Sequence, residues 1–381
     1  LDINCIMANY DLPFSFPEDV VKASQHINTT ITDDPKRWDL RDVPMVTIDG
    51  EDAKDLDDAV SGRKLDNGNY ELGVHIADVS HYVVSQKAID REAYKRGTSV
   101  YLVDRVIPML PEVLSNGICS LNAGEDRYAM TCMMEIDTQG KVVNYRIQPS
   151  IIHVNRRCSY KEIYKALTED IIPDDLAPLM PMIHNLSDIA KTLNDMRRRR
   201  GALDFDFPEY KVLLDTEGTP LRIVRRDRTL AERLIEECML IANETVATHL
   251  KNTNRPSVYR IHETPSEEKM SMYQKVLNYL GQDIRLHLDE LEPRVFQHIL
   301  DAVKGTDIEQ VAQIMTLRSM QQAKYSIDNA GHFGLASKCY THFTSPIRRY
   351  PDLMVHRLLK ADMGWPDGYA NRDTKTEFLE R

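Results

Sequence analysis

The chain has 381 residues, of which 42% are hydrophobic and 28% charged, a composition typical of globular proteins and not of disordered or fibrous ones. At about 100 to 200 residues per domain, this length allows two or three domains or one large unit. No run approaches the roughly 18 apolar residues of a membrane span, and the N-terminus lacks a signal-peptide layout. We therefore expect a soluble, cytoplasmic protein without a membrane partner.

The cysteines and the chain ends add two further expectations. The six cysteines lie far apart and form no C-x-x-C pair, so neither a zinc knuckle nor a small disulfide scaffold is indicated. The chain begins at Leu1 without a Met and ends in the charged segment TKTEFLER. We therefore expect it to be a piece of a longer polypeptide.

The net charge of -11 argues against indiscriminate binding to nucleic acid, because an acidic surface repels phosphates. Basic residues are nevertheless clustered, most densely in the four arginines at 197–200. Two interpretations of this run stay open. It can end an amphipathic helix that Gly201 terminates, where cations favour the helix dipole, or it can form part of a track for RNA phosphates.

The hydrophobic pattern changes twice along the chain. Residues 1–40 are predicted to be an irregular approach segment punctuated by prolines. Strands follow in VPMVTI, in YELGVHIADVSHYV and in the hairpin of YAMTCMMEID and YRIQPSIIHVN. Helices are then predicted over 160–167, 181–200, 229–250, 266–280, 307–324 and 351–361, with strands in LDFDFPEYKVLLD and PLRIVRR between them. Because no linker divides residues 43–360, the pattern indicates one large α/β unit.

The densest acidic cluster lies in TIDGEDAKDLDDAV, directly after an apolar strand. Its carboxylates are Asp49, Glu51, Asp52, Asp55, Asp57 and Asp58. A hard divalent cation would remove the repulsion among them, which favours Mg²⁺, or Mn²⁺ in its place. The alternative is a solvated acidic loop. A loop at the end of a buried strand, however, is held rigidly enough to keep metal ligands in place.

A second constellation is GHFGLASKCYTHFTSPIRRYPDLMVHRLLK. Its turn at 344–346 is predicted to cap a helix that begins near Pro351, and Arg348 and Arg349 project from it. One interpretation is a helix entry with solvated arginines. The other is a clamp on a scissile or neighbouring phosphate, because the planar guanidinium matches phosphate oxygens.

These two segments, with GTSVYLVDRVIPMLPEVLSNGICSLN between them, resemble the signature regions of the RNB domain, the catalytic domain of the ribonuclease II and ribonuclease R exoribonucleases. The similarity runs from about Trp38 to Lys360, and GEDAKDLDDAV and RRYPDLMVHR resemble ribonuclease R more than ribonuclease II. The resemblance implies an α/β (α+β) fold with a mixed β-sheet core surrounded by helices and a channel for single-stranded RNA.

The resemblance also implies that the chain is divided into three parts. Residues 1–40 would be an approach segment that follows an RNA-binding domain, 41–360 the catalytic domain, and 361–381 the start of a C-terminal linker or helix. The family carries cold-shock-type domains before the catalytic domain and an S1 domain after it, and neither is recognisable in this sequence.

Carried over by motif, the family's four metal-holding aspartates match Asp49, Asp55, Asp57 and Asp58, with Asp57 the one most tied to the chemical step. Tyr101, in GTSVY, matches the aromatic residue that stacks on the 3′-terminal base.

The remaining implied RNA contacts come from three other segments. Arg348 matches the arginine that holds the reacting phosphate, and Arg349 beside it is a further candidate RNA contact. Phe205 resembles a second stacking aromatic, and Glu236 resembles an acidic residue near the terminal nucleotide. The alternatives are a core position for Phe205 and a helix-surface position for Glu236.

These residues together predict a processive 3′-to-5′ exoribonuclease that cuts single-stranded RNA to nucleoside 5′-monophosphates with one or two Mg²⁺ ions, and that acts as a monomer. Three alternatives stay open: a ribonuclease II-like enzyme blocked by structured RNA, an RNA-binding module without catalysis, and a metal-dependent phosphatase for small phosphoesters. Loss of one of the four aspartates would favour the binding module, and none is lost.

Overall fold

The fold is described from a computed structural model, which covers residues 2–205, 209–216, 218–253, 256–281 and 291–366. Its strands are β1 (Trp38–Leu40), β2 (Val46–Asp49), β3 (Asp58–Lys64), β4 (Tyr70–Ala77), β5 (Val100–Tyr101), β6 (Val106–Ile107), β7 (Asp126–Ile136), β8 (Val142–His153), β9 (Arg156–Ser159), β10 (Glu209–Leu214), β11 (Pro220–Arg226), β12 (Tyr259–Ile261) and β13 (Lys324–Ser326). Its helices are α1 (Asp2–Asn9), α2 (Glu18–Gln25), α3 (Val79–Tyr82), α4 (Ala88–Arg96), α5 (Tyr160–Thr168), α6 (Met180–Arg200), α7 (Leu230–Asn252), α8 (Glu267–Tyr279), α9 (Pro293–Val303), α10 (Glu309–Ser319) and α11 (Tyr350–Asp362). Among the described residues, no helix is both long and apolar enough to cross a membrane.

The centre of the fold is a seven-stranded mixed sheet in the order β1-β8-β7-β4-β3-β2-β9. The pairs β1/β8 and β2/β9 are parallel and the other neighbours are antiparallel. Strands β7 and β8 form the hairpin that the sequence predicts. The mixed sheet with surrounding helices confirms the expected fold class.

Both faces of the sheet are covered by helices. Side chains alternate between the faces along each strand, so one strand contributes to both layers. In β4, Leu72, Val74 and Ile76 enter a core shared with α5, α6, α7 and part of α11, whereas Ala77 belongs to a second core shared with α2, α3 and α4. A side chain at Gly62 of β3 would come within 2.8 Å of Leu186, so glycine lets α6 lie directly on the sheet. The acidic loop joins the neighbouring strands β2 and β3, beside the edge strand β9.

A third apolar cluster holds α8, α9 and α10 together. Its fully buried members include Tyr273, Leu277, Phe296 and Ile299. The rings of Tyr273 and Phe296 stack with centroids 5.7 Å apart. These helices therefore pack mainly on one another, beside the central sheet.

Most of the predicted helices from residue 160 onward are confirmed, and three expectations along the whole chain are wrong. The segment 1–40 is not irregular, because it contains α1, α2 and β1. The strand expected across YELGVHIADVSHYV ends at Ala77 and gives way to α3. The helix expected over 307–324 is shorter, since α10 ends at Ser319 and β13 begins five residues later.

A buried group of charges ties the start of the sheet to α11. Asp78, at the end of β4, is 2.9 Å from the guanidinium of Arg37 and 2.7 Å from Nζ of Lys360. These side chains are at most 2% exposed. Arg37 precedes β1 and Lys360 lies in α11, so the carboxylate of Asp78 links three separate parts of the chain.

Candidate active site

The acidic loop runs from the end of β2 to the start of β3. Asp49 is the last residue of β2 and Asp58 is the first residue of β3, so both ends of the loop are fixed by the sheet. The loop interior is also tied down: the amide of Leu56 donates to Ser120 Oγ at 3.1 Å, and the amide of Ala77 donates to Asp57 O at 2.9 Å. The candidate ligands are therefore held by backbone contacts on several sides.

Asp57 is the most buried of the four aspartates, with 4% of its surface exposed. Its Oδ1 accepts a hydrogen bond of 2.9 Å from the amide of Ile347. Its Oδ2 is buried without a hydrogen-bond partner, and Nε of Arg348 lies 3.8 Å away. Burial raises the pKa of Asp57 well above its usual range, against the opposing charge of Arg348.

The other aspartates are coupled to one another by charge. Burial raises the pKa of Asp58 to about 7, and the charge of Asp49 adds to this shift. Burial also raises the pKa of Asp49, and Asp55 adds to this shift. Asp49 ends β2 and Asp58 begins the neighbouring strand β3, so the sheet places these two carboxylates near enough for their charges to interact.

Tyr101 reaches the same group from β5. Its hydroxyl donates to Asp55 Oδ2 at 2.8 Å. Burial raises the pKa of Tyr101, and Asp55 and Asp57 add to this shift. The residue is nevertheless 52% exposed, which leaves part of its surface open to a ligand.

The turn before α11 places Arg348 and Arg349 differently. Arg348 has a side chain that is 42% exposed and donates to Ser345 Oγ at 3.1 Å. Arg349 donates to the buried carboxylate of Asp352 at 2.8 Å, and Asp352 also accepts from the amide of Ser345. Arg348 is thus available to a substrate beside Asp57, whereas Arg349 is bound to its own helix.

The predicted cap of α11 is wrong in its detail. No side chain caps the first turn of this helix, whose N-cap residue is Arg349. Instead, the carboxylate of Asp352 folds back onto Ser345, because its burial requires hydrogen-bond donors.

Backbone hydrogen bonds join the Tyr101 segment to the Arg348 segment. The amide of Ser99 and the hydroxyl of Thr98 both donate to Arg348 O at 2.9 Å, and the amide of Tyr350 donates to Gly97 O at 2.9 Å. Gly97 has a φ of 71°, which favours glycine and turns the chain from α4 towards β5. The backbone segments that carry Tyr101 and Arg348 are therefore joined directly to each other.

The donor atoms of this site are suited to a hard divalent cation. All four aspartates offer carboxylate oxygens, and the buried Oδ2 of Asp57 lacks a hydrogen-bond donor. Within the described ranges, however, no three His, Cys, Asp or Glu side chains are gathered closely enough to form a metal centre as they stand. The chemistry and charge of the four carboxylates nevertheless fit a divalent cation, which would draw them together.

An arginine links Glu236 to Asp204, the residue before Phe205. Arg228 donates to Asp204, the neighbour of Phe205, at 2.9 Å, and also donates to Glu236. Phe205 is partly buried against the apolar cluster of α8 and α9. The roles of Phe205 and Glu236 in RNA binding stay predictions.

The arginine run at the end of α6 is used mainly for packing against α7. Arg197 is buried and forms a two-pronged ion pair with Glu237 at 2.9 to 3.2 Å. Arg200 pairs with Glu244 at 2.6 Å. The phosphate-track interpretation is wrong for Arg197, because its guanidinium is needed to balance a buried carboxylate 40 residues away in sequence.

Tyr160 lies beside the site, and sequence reasoning did not identify it. Burial raises its pKa, and the charges of Asp49 and Asp58 add to the shift. The pairing of Asp49 with Ser159 in the parallel strands β2 and β9 brings the next residue beside the aspartates. The capping box formed by Ser159 and Glu162 was the available sequence signal, because it marks the strand-to-helix junction.

The comparison with protein families agrees with this geometry. The chain matches the model of the RNB domain over residues 37–363 and belongs to that family. The resemblance found in the signature motifs is thereby confirmed.

Two curated relatives and one solved structure show what the chain is similar to. Ribonuclease R of Thermotoga maritima is 48% identical over 94% of this chain and 51% of the relative, and Ribonuclease R 1 of Lactococcus lactis subsp. lactis is 46% identical over 94% of this chain and 44% of the relative. A structure of Mycoplasma genitalium RNase R in complex with ribose methylated single-stranded RNA has a TM-score of 0.93 and 32% identity, covering all of this chain and 59% of that one. The chain thus spans about half the length of these curated relatives.

Proposed function

We propose that this chain is the catalytic part of a processive 3′-to-5′ exoribonuclease that hydrolyses single-stranded RNA to nucleoside 5′-monophosphates with Mg²⁺. The observation that carries the proposal is the buried Oδ2 of Asp57, which has no hydrogen-bond partner and lies 3.8 Å from Nε of Arg348, with Asp58 close enough to act on its charge. The relatives named Ribonuclease R and the related structure with bound single-stranded RNA support the substrate class.

The site residues divide the work of holding and cutting the substrate. The exposed part of the Tyr101 ring would stack on the terminal base, while its hydroxyl stays bound to Asp55. Arg348 would place fixed positive charge beside the phosphate, where negative charge grows in the transition state. Because Asp57 is held by the Ile347 amide in the same turn, its carboxylate and the guanidinium keep a constant spacing.

Asp49, Asp55, Asp57 and Asp58 are the residues that would hold Mg²⁺, or Mn²⁺ in its place. When bound, the ion would lower the pKa of a water molecule and offset charge on the attacking and leaving oxygens. The carboxylates themselves would stay ionised around it, since the cation replaces their mutual repulsion with attraction.

The cellular setting is part of the same proposal. We place the protein in the cytoplasm as a monomer, and the location is supported by its six cysteines, all of which are free.

The proposal is tested with a 5′-labelled single-stranded RNA incubated with Mg²⁺ and with EDTA, with products resolved on a gel. We expect the full-length band to be replaced by a short labelled end fragment in Mg²⁺ and to persist in EDTA. Binding without cleavage would support the RNA-binding module instead, and hydrolysis of p-nitrophenyl phosphate alone would support the phosphatase. An RNA hairpin with a 3′ overhang separates a ribonuclease R-like enzyme, which digests it, from a ribonuclease II-like one, which stops at the stem.

Replacing Tyr101 by Ala should lengthen the smallest undigested fragment. Stacking on an aromatic ring contributes roughly 1 to 3 kcal/mol per base, so more upstream nucleotides are needed to hold the substrate once the ring is gone. Tyr101→Phe is the matched control, because it keeps the ring and removes only the hydrogen bond to Asp55. Limit products of the three proteins are compared on a high-percentage gel, and identical fragments would assign the Tyr101 ring a packing role.

Mg²⁺ should stabilise the protein more at about pH 8 than at about pH 6. The folded-state pKa of Asp58, about 7, lies above the value of about 4 in an unfolded chain. The protonated form therefore stabilises the fold, and the metal-free protein loses stability as pH rises between these values. At the higher pH the carboxylate is ionised and binds the cation without competition from a proton.

The measurement is the shift in Tm on adding MgCl₂, with NaCl at equal ionic strength as the control. An equal shift at both pH values would contradict the assignment of Asp58 as a ligand.

A further inference from the structure

The turn that follows β2 has three of its carbonyls contacted by one arginine from outside the turn. Nη2 of Arg157 lies 2.7 Å from Ala53 O, 3.2 Å from Glu51 O and 3.3 Å from Gly50 O. In the part of the chain that the structure describes, these carbonyls are the hydrogen-bond partners of its guanidinium. One side chain therefore contacts most of the backbone between Asp49 and Asp55.

The sheet register explains why Arg157 reaches this turn. In the parallel pair of β2 and β9, Arg157 lies opposite Thr47, two residues before Asp49. The next residue of β9, Cys158, enters the core. Because side chains alternate along a strand, Arg157 points to the other face, where it is exposed and extends past the end of β2.

The turn needs such a restraint because of its charge. Glu51 and Asp52 lie within it, and Asp49 and Asp55 flank it, so carboxylate repulsion favours a more open turn. Other contacts also restrain the turn. One is the backbone hydrogen bond from the Ala53 amide to Gly50 O at 3.1 Å, and another is the exposed ion pair between Asp52 and Lys211.

We propose that Arg157 is a positioning residue, which fixes the turn at 50–53 so that Asp49 on one side and the aspartates at 55–58 on the other keep the spacing that a divalent cation requires. The expected effect of Arg157 on hydrolysis rests on the proposed function. The expected effect of Arg157 on the turn is independent of the proposed function. Arg157 touches neither the cation nor the RNA in this account and acts through the backbone of the turn.

The test uses three variants of the same chain. Arg157→Ala removes the contacts with the turn, and Arg157→Lys keeps the charge on a shorter side chain that lacks the Nη2 atom contacting the three carbonyls. Arg156→Ala is the matched control. Its guanidinium points elsewhere, to Asp175 at 2.7 Å and to Glu162 at 2.9 Å.

The first readout is amide hydrogen exchange over residues 49–58 in the absence of metal and RNA. We expect faster exchange in this segment for Arg157→Ala, an intermediate rate for Arg157→Lys and no change for Arg156→Ala. This readout does not depend on activity, so it tests the restraint even if the chain hydrolyses no RNA. Unchanged exchange in Arg157→Ala would overturn the proposal.

The second readout is cation binding, measured by titration calorimetry with Mg²⁺ and with Mn²⁺ and without RNA. Residues behind metal ligands typically change metal affinity by 10- to 100-fold, so we expect Arg157→Ala to bind about tenfold more weakly. Binding by Arg157→Ala equal to that of the wild type would overturn the proposal. Full affinity in Arg157→Lys would also overturn it, because charge alone would then account for the effect of Arg157 on Asp49.

The third readout separates positioning from substrate contact. We expect Arg157→Ala to lower kcat at limiting Mg²⁺, to regain most of it at high Mg²⁺ and to keep the KM for RNA. A raised KM with normal metal binding would show that Arg157 contacts RNA and would overturn the positioning role. Absence of hydrolysis in the wild type would instead refute the proposed function and leave the first two readouts to decide on Arg157.

Discussion

Asp57→Asn should abolish most hydrolysis while leaving RNA binding intact. The substitution keeps the size of the side chain and can keep the hydrogen bond from the Ile347 amide, but it removes the negative charge beside Arg348. Residues that only support metal ligands contribute roughly 10- to 100-fold, so loss of a ligand itself should lower kcat by more than about 100-fold. RNA binding should persist or tighten, because one charge that repels phosphate is gone.

The stability of this variant distinguishes a chemical defect from a folding defect. Burial raises the pKa of Asp57, which means that the ionised carboxylate is costly in the folded state. A neutral amide removes that cost, so the Tm of Asp57→Asn should equal or exceed that of the wild type. Functional sites commonly trade stability for activity in this way.

Asp52→Asn is the matched control for Asp57→Asn. It makes the same chemical change in the same loop, but Asp52 is exposed and pairs with Lys211 at the surface. Single-turnover rates and RNA affinity are measured for both variants at saturating Mg²⁺. Degradation by Asp57→Asn at a rate near that of Asp52→Asn would show that Asp57 is not a catalytic ligand.

The sequence predicts best where its signals are local. The helix α7 follows the capping box of Thr229 and Glu232, and α6 ends at Gly201, which has a φ of 97°. The prolines before residue 40 were more ambiguous. Pro17 was interpreted as punctuation of an irregular segment, but it immediately precedes α2, where its fixed φ is compatible with a helix start.

The sequence predicts least where a contact joins distant segments. Nothing near Arg197 indicates that it pairs with Glu237, and the phosphate-track interpretation depended on its being exposed. The same limit applies to the site. The motifs identify the four aspartates, Tyr101 and Arg348. Two features arise only when strands pair: the lack of a hydrogen-bond partner at Oδ2 of Asp57 and the contacts of Arg157. Such pairings depend on the whole sheet.

The early end of β4 at Ala77 also depends on contacts between distant segments. Breaking these contacts should have the largest expected effect on stability. Asp78 follows β4 and turns away from the strand pattern because its carboxylate is held by Arg37 and Lys360 in the interior. Burial alone would raise the pKa of Asp78, but these two cations lower it instead. The ionised form therefore stabilises the fold, and this contribution is complete above the usual carboxyl pKa and is lost as pH falls below it.

Asp78→Asn should lower the free energy of unfolding by about 3 to 5 kcal/mol, because it removes the buried carboxylate that Arg37 and Lys360 both contact. Urea denaturation near neutral pH measures the change, with Asp39→Asn as the control. Asp39 pairs with Arg41 at the surface, where water replaces a lost partner, so its midpoint should match that of the wild type.

A double-mutant cycle then separates the ion pair from simple packing. Lys360→Met removes one cation and keeps an unbranched side chain in α11, so in Asp78→Asn it removes a buried charge that has already lost its contact with the carboxylate of Asp78. The double variant should therefore be less destabilised than the sum of the two single variants. Strict additivity, or an Asp78→Asn midpoint equal to that of Asp39→Asn, would show that the charges of Arg37, Asp78 and Lys360 do not hold α11 to the sheet.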